Sequence, residues 1–295
     1  MSISFQPWLR FLRTTAVLAA FLFVLFRVHL FPQAGELFDP ARAASLFETG
    51  QANIRAGKWE KALGVMAQLS KSSPENPIYI SDLAGIYGHL GRFREEAAEW
   101  EQYLDRAPRP IEGCPAIGKA YEKQALPKQA VRAFERCLAF EPENADSVFF
   151  LAHAWERVNE MDKAEELYRR GAKSNPEYQD MLIGLARVLL RKGDPATAAK
   201  LAANALKASP GNTDALMVLG SASRRAGDRD SARLYFEQGA RLNDGDTDFH
   251  LALAEMAEQD KDFRSAIARY RKVTQLDRSN PEAVTRLNFL TRVYP

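Results

Sequence analysis

The chain of 295 residues is 46% hydrophobic and 26% charged, with a formal net charge of +2. Its length suggests one to three domains, and its charged fraction is too high for a protein that crosses a membrane many times. After residue 35, 37 Lys and Arg balance 38 Asp and Glu. This balance disfavours non-specific nucleic-acid binding, which needs an excess of cations. Two cysteines exclude a disulfide-dense scaffold and any four-cysteine zinc site.

An apolar run lies near the N-terminus. Residues 14–26 carry no charge, with Arg10 and Arg13 before them and Arg27 after them. A helix that spans a bilayer needs ~20 predominantly apolar residues. Residues 8–31 supply that length when the flanking arginine side chains extend to the two interfaces. The segment therefore favours a single membrane-spanning helix.

We predict that residues 1–35 are an uncleaved membrane anchor and that residues 36–42 are a linker. The alternative is a cleaved secretory signal, for which Pro32-Gln33-Ala34 is a poor cleavage site. The positive charges before the apolar run favour a cytoplasmic N-terminus. We therefore expect a single-pass protein of the inner (plasma) membrane, with its C-terminal part on the periplasmic side.

Beyond the linker, the sequence repeats every 34 residues. With Ala43 as position 1, seven units fill residues 43–280 without a gap. Small residues recur at positions 8 and 20, glycine often stands at position 15, and position 24 is mostly aromatic. Prolines recur at position 32, where they are Pro74, Pro108, Pro142, Pro176 and Pro210.

Each unit is predicted to fold as two short helices joined by a turn near position 15. Small residues at positions 8 and 20 let the two helices approach, and the large residue at position 24 fills the gap to the next unit. Proline at position 32 stops the second helix. One pair cannot bury its apolar face alone, so successive pairs stack. Residues 281–295 begin with proline, show helical apolar spacing and are predicted to form a capping helix.

These positions, together with Tyr87, Tyr121 and Trp155 at position 11, resemble the tetratricopeptide repeat (TPR). The resemblance covers about four fifths of the chain. It implies an all-α fold, a right-handed TPR superhelix of about seven helix-turn-helix repeats. With the N-terminal transmembrane helix, the chain is similar to bacterial single-span TPR proteins that serve envelope assembly.

The motifs of catalysis are absent from the sequence. No Gly-rich phosphate loop, H-E-x-x-H or G-x-S-x-G occurs. The four histidines fall in the predicted anchor and in separate repeats, so they do not converge on a metal. We therefore predict no catalytic, metal or cofactor site and expect no enzymatic activity. Acidic pairs such as Glu95-Glu96 and Glu165-Glu166 are expected to lie on solvated faces.

Cys114 and Cys137 stand at positions 4 and 27 of the third unit. Antiparallel helix pairing brings these positions together, so two interpretations stay open. The cysteines are either two small core residues or a disulfide, which would require an oxidising compartment.

The TPR resemblance implies that the first helices line a concave groove, with positions 2, 5, 9, 12 and 13 facing it. Apolar side chains flanked by cations would suit an amphipathic, acidic segment of a partner protein. The alternative is that some of these side chains pack between repeats or against the C-terminal helix. The candidate groove residues are Phe47, Ser81, Phe149, His153, Ile183, Arg187, Arg191, Met217 and Arg224.

The sequence thus predicts a membrane-anchored TPR scaffold for protein–protein interaction. The processes implied by resemblance are polysaccharide or lipopolysaccharide assembly, pilus assembly and cytochrome c maturation. The alternative is a peptide-receptor or regulatory module that binds a short ligand in its groove. TPR proteins that bind chaperone tails use Lys at position 5 and Asn at position 9 to hold the terminal carboxylate. No unit of this sequence combines these two residues, so we do not expect binding to chaperone tails.

Overall fold

The computed structural model describes residues 39–294, and every regular element in that range is helical. The predicted anchor and residues 36–38 of the predicted linker lie outside these residues, and residues 40–42, which were predicted to be linker, belong to the first helix. The helices are α1 (Pro40–Arg55), α2 (Trp59–Ser72), α3 (Pro77–His89), α4 (Phe93–Arg106), a 3₁₀ turn (Pro110–Gly113), α5 (Cys114–Lys123), α6 (Pro127–Phe140), α7 (Ala145–Arg157), α8 (Met161–Ser174), α9 (Gln179–Lys192), α10 (Pro195–Ala208), α11 (Thr213–Arg225), α12 (Arg229–Leu242), α13 (Thr247–Gln259), α14 (Phe263–Leu276) and α15 (Pro281–Val293).

The chain divides into two compact units, with the boundary between Ala133 and Phe134. In unit 1, helices α1 to α5 pack each against the next; in unit 2, helices α7 to α15 do the same. The predicted all-α helical repeat is confirmed within each unit. Among residues 39–294, no helix combines the length and the apolar character needed to cross a membrane.

The turn inside each repeat depends on a left-handed residue at position 15. Gly57, Gly91, Gly193 and Gly227 have φ angles of 66° to 92°. The remaining repeats place Ala125, Asn159 and Lys261 there, with φ angles of 55°, 65° and 62°. A side chain is disfavoured in this conformation because its Cβ crowds the backbone. The turn geometry is therefore common to all seven repeats, whereas the glycine is not.

The ends of the second helices do not depend on proline. In the last two repeats, Asp244 and Arg278 replace proline at position 32, yet α12 and α14 end at the usual place. A second signal, which like the proline occurs in five of the seven repeats, is an Asn or Asp at position 34, whose side-chain oxygen accepts a hydrogen bond from a backbone N–H in the first turn of the next helix. These caps are Asn76, Asn144, Asn212, Asp246 and Asn280.

Contacts between small and large residues hold the helix pairs together. A Cβ added at Gly50 would lie 2.6 Å from Met66 Sδ, and one added at Gly220 would overlap the Phe236 ring. Position 24 therefore contacts position 8 of its own repeat. It also reaches the following repeat, since Tyr168 fills the space beside Gly184. The predicted contact of position 24 with the next unit is therefore seen at Tyr168, and the contact with position 8 of the same repeat adds to it.

Two acidic residues predicted to be solvated are instead enclosed by ion pairs between repeats. Glu96 is buried against Gly88 and accepts hydrogen bonds from Lys123 Nζ at 3.0 and 3.1 Å. Glu165 accepts one from Lys192 at 2.5 Å. This hydrogen bond lowers the pKa of Glu165. Both lysines belong to the next first helix, so these pairs link neighbouring repeats.

The left-handed turns predict opposite effects at two equivalent sites. Lys261→Gly should raise the free energy of unfolding by about 1 kcal/mol, and Gly227→Ala should lower it by a similar amount. A Cβ added at Gly227 meets no atom within 4 Å, so the loss of stability there would come from the unfavourable backbone conformation and not from a steric clash with neighbouring atoms. Urea unfolding measures both changes. Lys261→Ala is the control and should give no gain, because it keeps the Cβ.

Candidate functional site

Three first helices of unit 2, α7, α9 and α11, lie side by side as one layer. Helix α9 packs against both α7 and α11, in addition to the second helices beside it. We call the exposed side of this layer the first-helix face; its predicted members in unit 2 come from α7, α9 and α11. They are Phe149, His153, Ile183, Arg187, Arg191, Met217 and Arg224.

An aromatic cluster surrounds Phe149, which is half-buried in α7. Its ring centroid lies 5.7 Å from that of Tyr178, 6.1 Å from that of Tyr168 and 6.2 Å from that of His153. The Tyr178 hydroxyl donates a hydrogen bond to Asp146 Oδ1 at 2.7 Å. Burial, together with this bond, raises the pKa of Tyr178. Phe149 and Tyr178 are both half-buried, so the cluster keeps an exposed aromatic surface.

Ile183 and Met217 occupy the same repeat position but differ in exposure. Ile183 is only 2% exposed and belongs to the core of unit 2, whereas Met217 is half-buried at the edge of its cluster. Ile183 therefore packs between repeats, as the alternative interpretation of the groove allowed. The apolar surface open to a partner is that of Phe149 and Met217.

Arg187 is held by a carboxylate of the preceding repeat. Its Nε and Nη2 donate to the two oxygens of Glu156 at 2.6 and 2.7 Å. Glu156 is enclosed, with 7% of its side chain exposed, and also accepts a hydrogen bond from Tyr168 at 3.2 Å. Burial opposes the charged form of Arg187, but the bonds to Glu156 outweigh it and raise the guanidinium pKa. Arg187 is thus a structural cation.

The other two predicted cations also contact neighbouring repeats. Arg224 Nη1 donates to Glu255 at 2.6 Å, and Arg191 Nη2 donates to Asn159 at 3.0 Å. Both side chains keep an exposed portion. Arg187 and Arg224 are therefore neutralised by carboxylates 31 residues away, and Arg191 Nη1 lies 3.9 Å from Glu156 Oε1. The predicted cations thus give little reason to expect an acidic ligand at this face.

In unit 1, the two predicted residues lie on different helices. Phe47 of α1 packs beside Tyr79 of α3, with ring centroids 5.7 Å apart. The Ser81 hydroxyl donates to the Ile78 carbonyl of its own helix at 3.0 Å. Beside them, Gln51 donates to Asp82 at 2.6 Å. The Phe47–Tyr79 and Gln51–Asp82 contacts join two successive first helices, α1 and α3.

Comparison with known proteins identifies the repeats. Two family profiles described as tetratricopeptide repeat match this chain, one at residues 44–76 and the other at residues 123–188 and 189–256. The three matches together span more than half of the sequence. The chain belongs to the tetratricopeptide repeat family. No protein of curated function matches it.

Solved TPR structures share this fold at low sequence identity. A TPR protein from Parabacteroides merdae gives a TM-score of 0.72 at 12% identity, over 84% of this chain and 98% of that one. A thermophilic TPR protein from Thermus thermophilus gives 0.56 at 20% identity, over 62% of this chain and 99% of that one. At these identities, the likeness establishes the fold alone.

A row of aspartates on the first helices was not among the predicted site residues. Position 2 of the last four TPR units is Asp146, Asp180, Asp214 and Asp248. They lie in the first turns of α7, α9, α11 and α13, where the positive end of the helix dipole stabilises carboxylates. Their 34-residue spacing in the sequence could have identified them. The first-helix face therefore has an acidic edge, an aromatic centre and a second edge of paired arginines.

Two apolar residues of α15 were also missed. Phe289 and Val293 hold positions 9 and 13 of an eighth first helix, and Phe289 is 52% exposed. Arg286 lies over the Phe289 ring at 5.5 Å. Extending the 34-residue register beyond residue 280 would have assigned both residues to the first-helix face.

No potential metal site is found among the described residues, where no group of three His, Cys, Asp or Glu side chains converges. Cys114 begins α5 and Cys137 lies in α6. Both are buried, and neither is a free cysteine. Their pairing with each other stays a prediction.

The Glu156–Arg187 pair predicts a stability effect with a specific rescue. Arg187→Met should lower the free energy of unfolding by about 2 kcal/mol, because the enclosed Glu156 then keeps only the Tyr168 hydroxyl and Arg191 Nη1, at 3.9 Å, as partners. The partial exposure of Arg187 keeps the loss below that of a fully buried pair. Adding Glu156→Gln should recover much of the loss. Urea unfolding measures these changes.

Arg157→Met is the matched control. Arg157 is exposed on α7 and makes no ion pair among residues 39–294 that would be lost, so its replacement should change stability by less than about 0.5 kcal/mol. Equal losses at Arg157 and Arg187 would contradict a structural role for the ion pair.

Proposed function

We propose that this chain is a membrane-anchored TPR scaffold that holds partner proteins during assembly of a bacterial cell envelope. TPR proteins in general act as scaffolds for protein–protein interaction. The observation that carries the proposal is the first-helix face of unit 2, where half-buried aromatic residues lie between two charged edges. Membrane attachment rests on the apolar run at residues 14–26, and the envelope process on resemblance alone.

The first-helix face suggests the chemistry of the partner segment. Phe149, Tyr178 and Met217 offer apolar surface that a partner's aliphatic or aromatic side chains can cover. Asp180 and Asp214 are exposed at one edge and form no hydrogen bond or ion pair through their carboxylates within residues 39–294. A partner segment that places cations at this edge gains the most binding free energy, because the cations can pair with the two aspartates. We therefore propose an amphipathic segment with basic residues facing the aspartates.

Two phenylalanine substitutions test this surface. Phe149→Ala should weaken capture of the bound partner at least tenfold, because it removes the centre of the aromatic cluster. Phe140→Ala is the matched control, since Phe140 is exposed at the end of α6, a second helix. Affinity purification from detergent extracts, quantified by mass spectrometry, gives the readout. Circular dichroism verifies that both variants remain folded.

Stoichiometric co-purification of large envelope proteins would support the scaffold. Capture of short peptides alone would support the alternative, a peptide-receptor module. If Phe149→Ala and Phe140→Ala retained the same partners in the same amounts, the first-helix face would not be the binding surface.

The proposed location makes a separate prediction about the cysteines. If the repeats lie in the periplasm, Cys114 and Cys137 should form a disulfide, since that compartment is oxidising. Intact-mass analysis after alkylation, with and without reductant, should then show a gain of two alkyl groups only after reduction. Two alkylated thiols without reductant would contradict the periplasmic location. A reporter fused to the C-terminus provides an independent readout of topology.

A further inference from the structure

The last repeat replaces two core residues with a polar pair, His250 and Arg269, at positions 4 and 23. In the three preceding repeats these positions hold aliphatic or aromatic residues, which are Val148, Leu182 and Leu216 at position 4 and Leu167, Leu201 and Tyr235 at position 23. Leu216 and Tyr235 pack in one apolar cluster. Burying polar groups costs free energy that apolar residues do not pay. Packing of the repeat alone therefore does not account for this pair.

His250 holds Arg269 in a defined orientation. The His250 side chain is buried, and its Nδ1 lies 3.1 Å from Arg269 Nη1. Because a guanidinium group can only donate, Nδ1 is the acceptor, and Nε2 carries the proton. Nε2 donates to the Asp244 carbonyl at 3.1 Å. Both ring nitrogens of His250 are thus satisfied, whereas only one of the five N–H groups of Arg269 has an acceptor among residues 39–294.

A pocket of about 470 Å³ opens beside this pair. It is lined by Glu237, Ala240 and Arg241 of α12, by Asp244 and His250, and by Arg269 of α14. The preceding repeat has Leu206 where the last pair of helices has Ala240, and Leu206 packs against the core. The small side chain of Ala240 therefore leaves room that a leucine would occupy. The volume is in the range of pockets that bind small molecules. We call it the His250 pocket.

The His250 pocket has an excess of positive charge. Asp244 is already neutralised by Lys272, whose hydrogen bond lowers the pKa of the Asp244 carboxyl. Arg241 is exposed and Arg269 is half-buried, and neither forms an ion pair within residues 39–294. Glu237 is the other carboxylate of the lining. Two unpaired guanidinium groups therefore share the pocket with one unpaired carboxylate.

We propose that the His250 pocket binds the phosphate group of a phosphate monoester. Arg241 belongs to α12 and Arg269 to α14, so guanidinium donors line the pocket from two helices. A tetrahedral phosphate accepts hydrogen bonds from several directions, and guanidinium groups match its geometry. A carboxylate has two oxygens in one plane and is served by a single guanidinium. His250 orients Arg269 before the ligand arrives, which lowers the entropic cost of binding.

This pocket is separate from the first-helix face of the proposed function. Its lining comes from two second helices, from Asp244 and from His250, which packs toward α14. The ligand is a small molecule or a lipid headgroup, not a partner segment. The phosphate proposal therefore stands on different residues and is tested independently.

The experiment uses the full-length protein in micelles of a non-ionic detergent, in buffer free of phosphate and sulfate. Isothermal titration calorimetry with glycerol phosphate, a soluble phosphate monoester, should show saturable binding that weakens as the salt concentration rises. Arg269→Leu should weaken binding at least tenfold and Arg241→Gln severalfold, because each removes charged donors. Ala240→Leu should also weaken it at least tenfold, because it fills the pocket without a change of charge.

Two further variants separate binding from folding. His250→Leu/Arg269→Leu copies the Leu182 and Leu201 of an earlier repeat. It should abolish detectable binding and yet unfold at the same urea concentration as the wild type or a higher one, because well-packed apolar residues often replace buried charged groups without loss of stability. Glu237→Gln should strengthen binding severalfold, since it removes the unpaired carboxylate.

Matched controls test the specificity of the pocket. Lys207 is exposed at the same repeat position as Arg241, and Lys207→Gln should leave binding unchanged within twofold. Acetate should bind at least tenfold more weakly than glycerol phosphate. A short-chain phosphatidic acid carries the same phosphate monoester on a lipid. Tighter binding of this lipid that depends on Arg269 would identify a headgroup as the ligand, and equal or weaker binding would identify a free small molecule.

Four outcomes would overturn the proposal. They are no saturable binding of glycerol phosphate, equal binding by Arg269→Leu and the wild type, equal affinity for acetate, and equal losses in Lys207→Gln and Arg241→Gln. If the double variant lost stability while Arg241→Gln and Ala240→Leu kept full binding, the pair would be purely structural. None of these substitutions lies on the first-helix face, so a failure of the partner-binding proposal would not affect this result.

Discussion

A small residue packed against a large one is the contact on which the rest of this structure depends. Gly220 leaves room for the Phe236 ring within one repeat, and Gly184 leaves room for Tyr168 between two repeats. Neither helix of a pair could bury its apolar side if these positions carried larger side chains. Phe236 also contacts Phe249 of the following repeat, so one large side chain joins two repeats. The first helices α7, α9 and α11 lie side by side as one layer.

This close spacing of the first helices also determines the state of the charges they carry. Arg187 and Arg224 each reach a carboxylate of the adjacent repeat, Glu156 and Glu255, at about one repeat length along the chain. These pairs join neighbouring repeats where solvent is partly excluded, so they act mainly as structural ties. What remains for a partner is the aromatic surface around Phe149 and the aspartate edge.

The 34-residue period predicted the positions of the helices because the same packing contacts between helices recur along the repeats. A turn near position 15 was predicted in every repeat, but the left-handed conformation of Ala125, Asn159 and Lys261 was not, since residues other than glycine are disfavoured in it. The ionic partner of an arginine depends on the exact tilt between adjacent helices, and periodicity does not encode that tilt. Ile183 and Met217 share one repeat position yet differ in burial. The groove residues were therefore correctly placed on first helices, but their accessibility required coordinates.

The central claim is that partners bind the first-helix face of unit 2. Site-specific photocrosslinking in cells tests it most directly, with a photoreactive phenylalanine derivative at position 217 or at position 234. Met217 lies on the first-helix face, whereas Leu234 is exposed on the second helix α12. The account predicts a discrete crosslinked protein from position 217 and none from position 234. A partner crosslinked from position 234 and not from position 217 would contradict it.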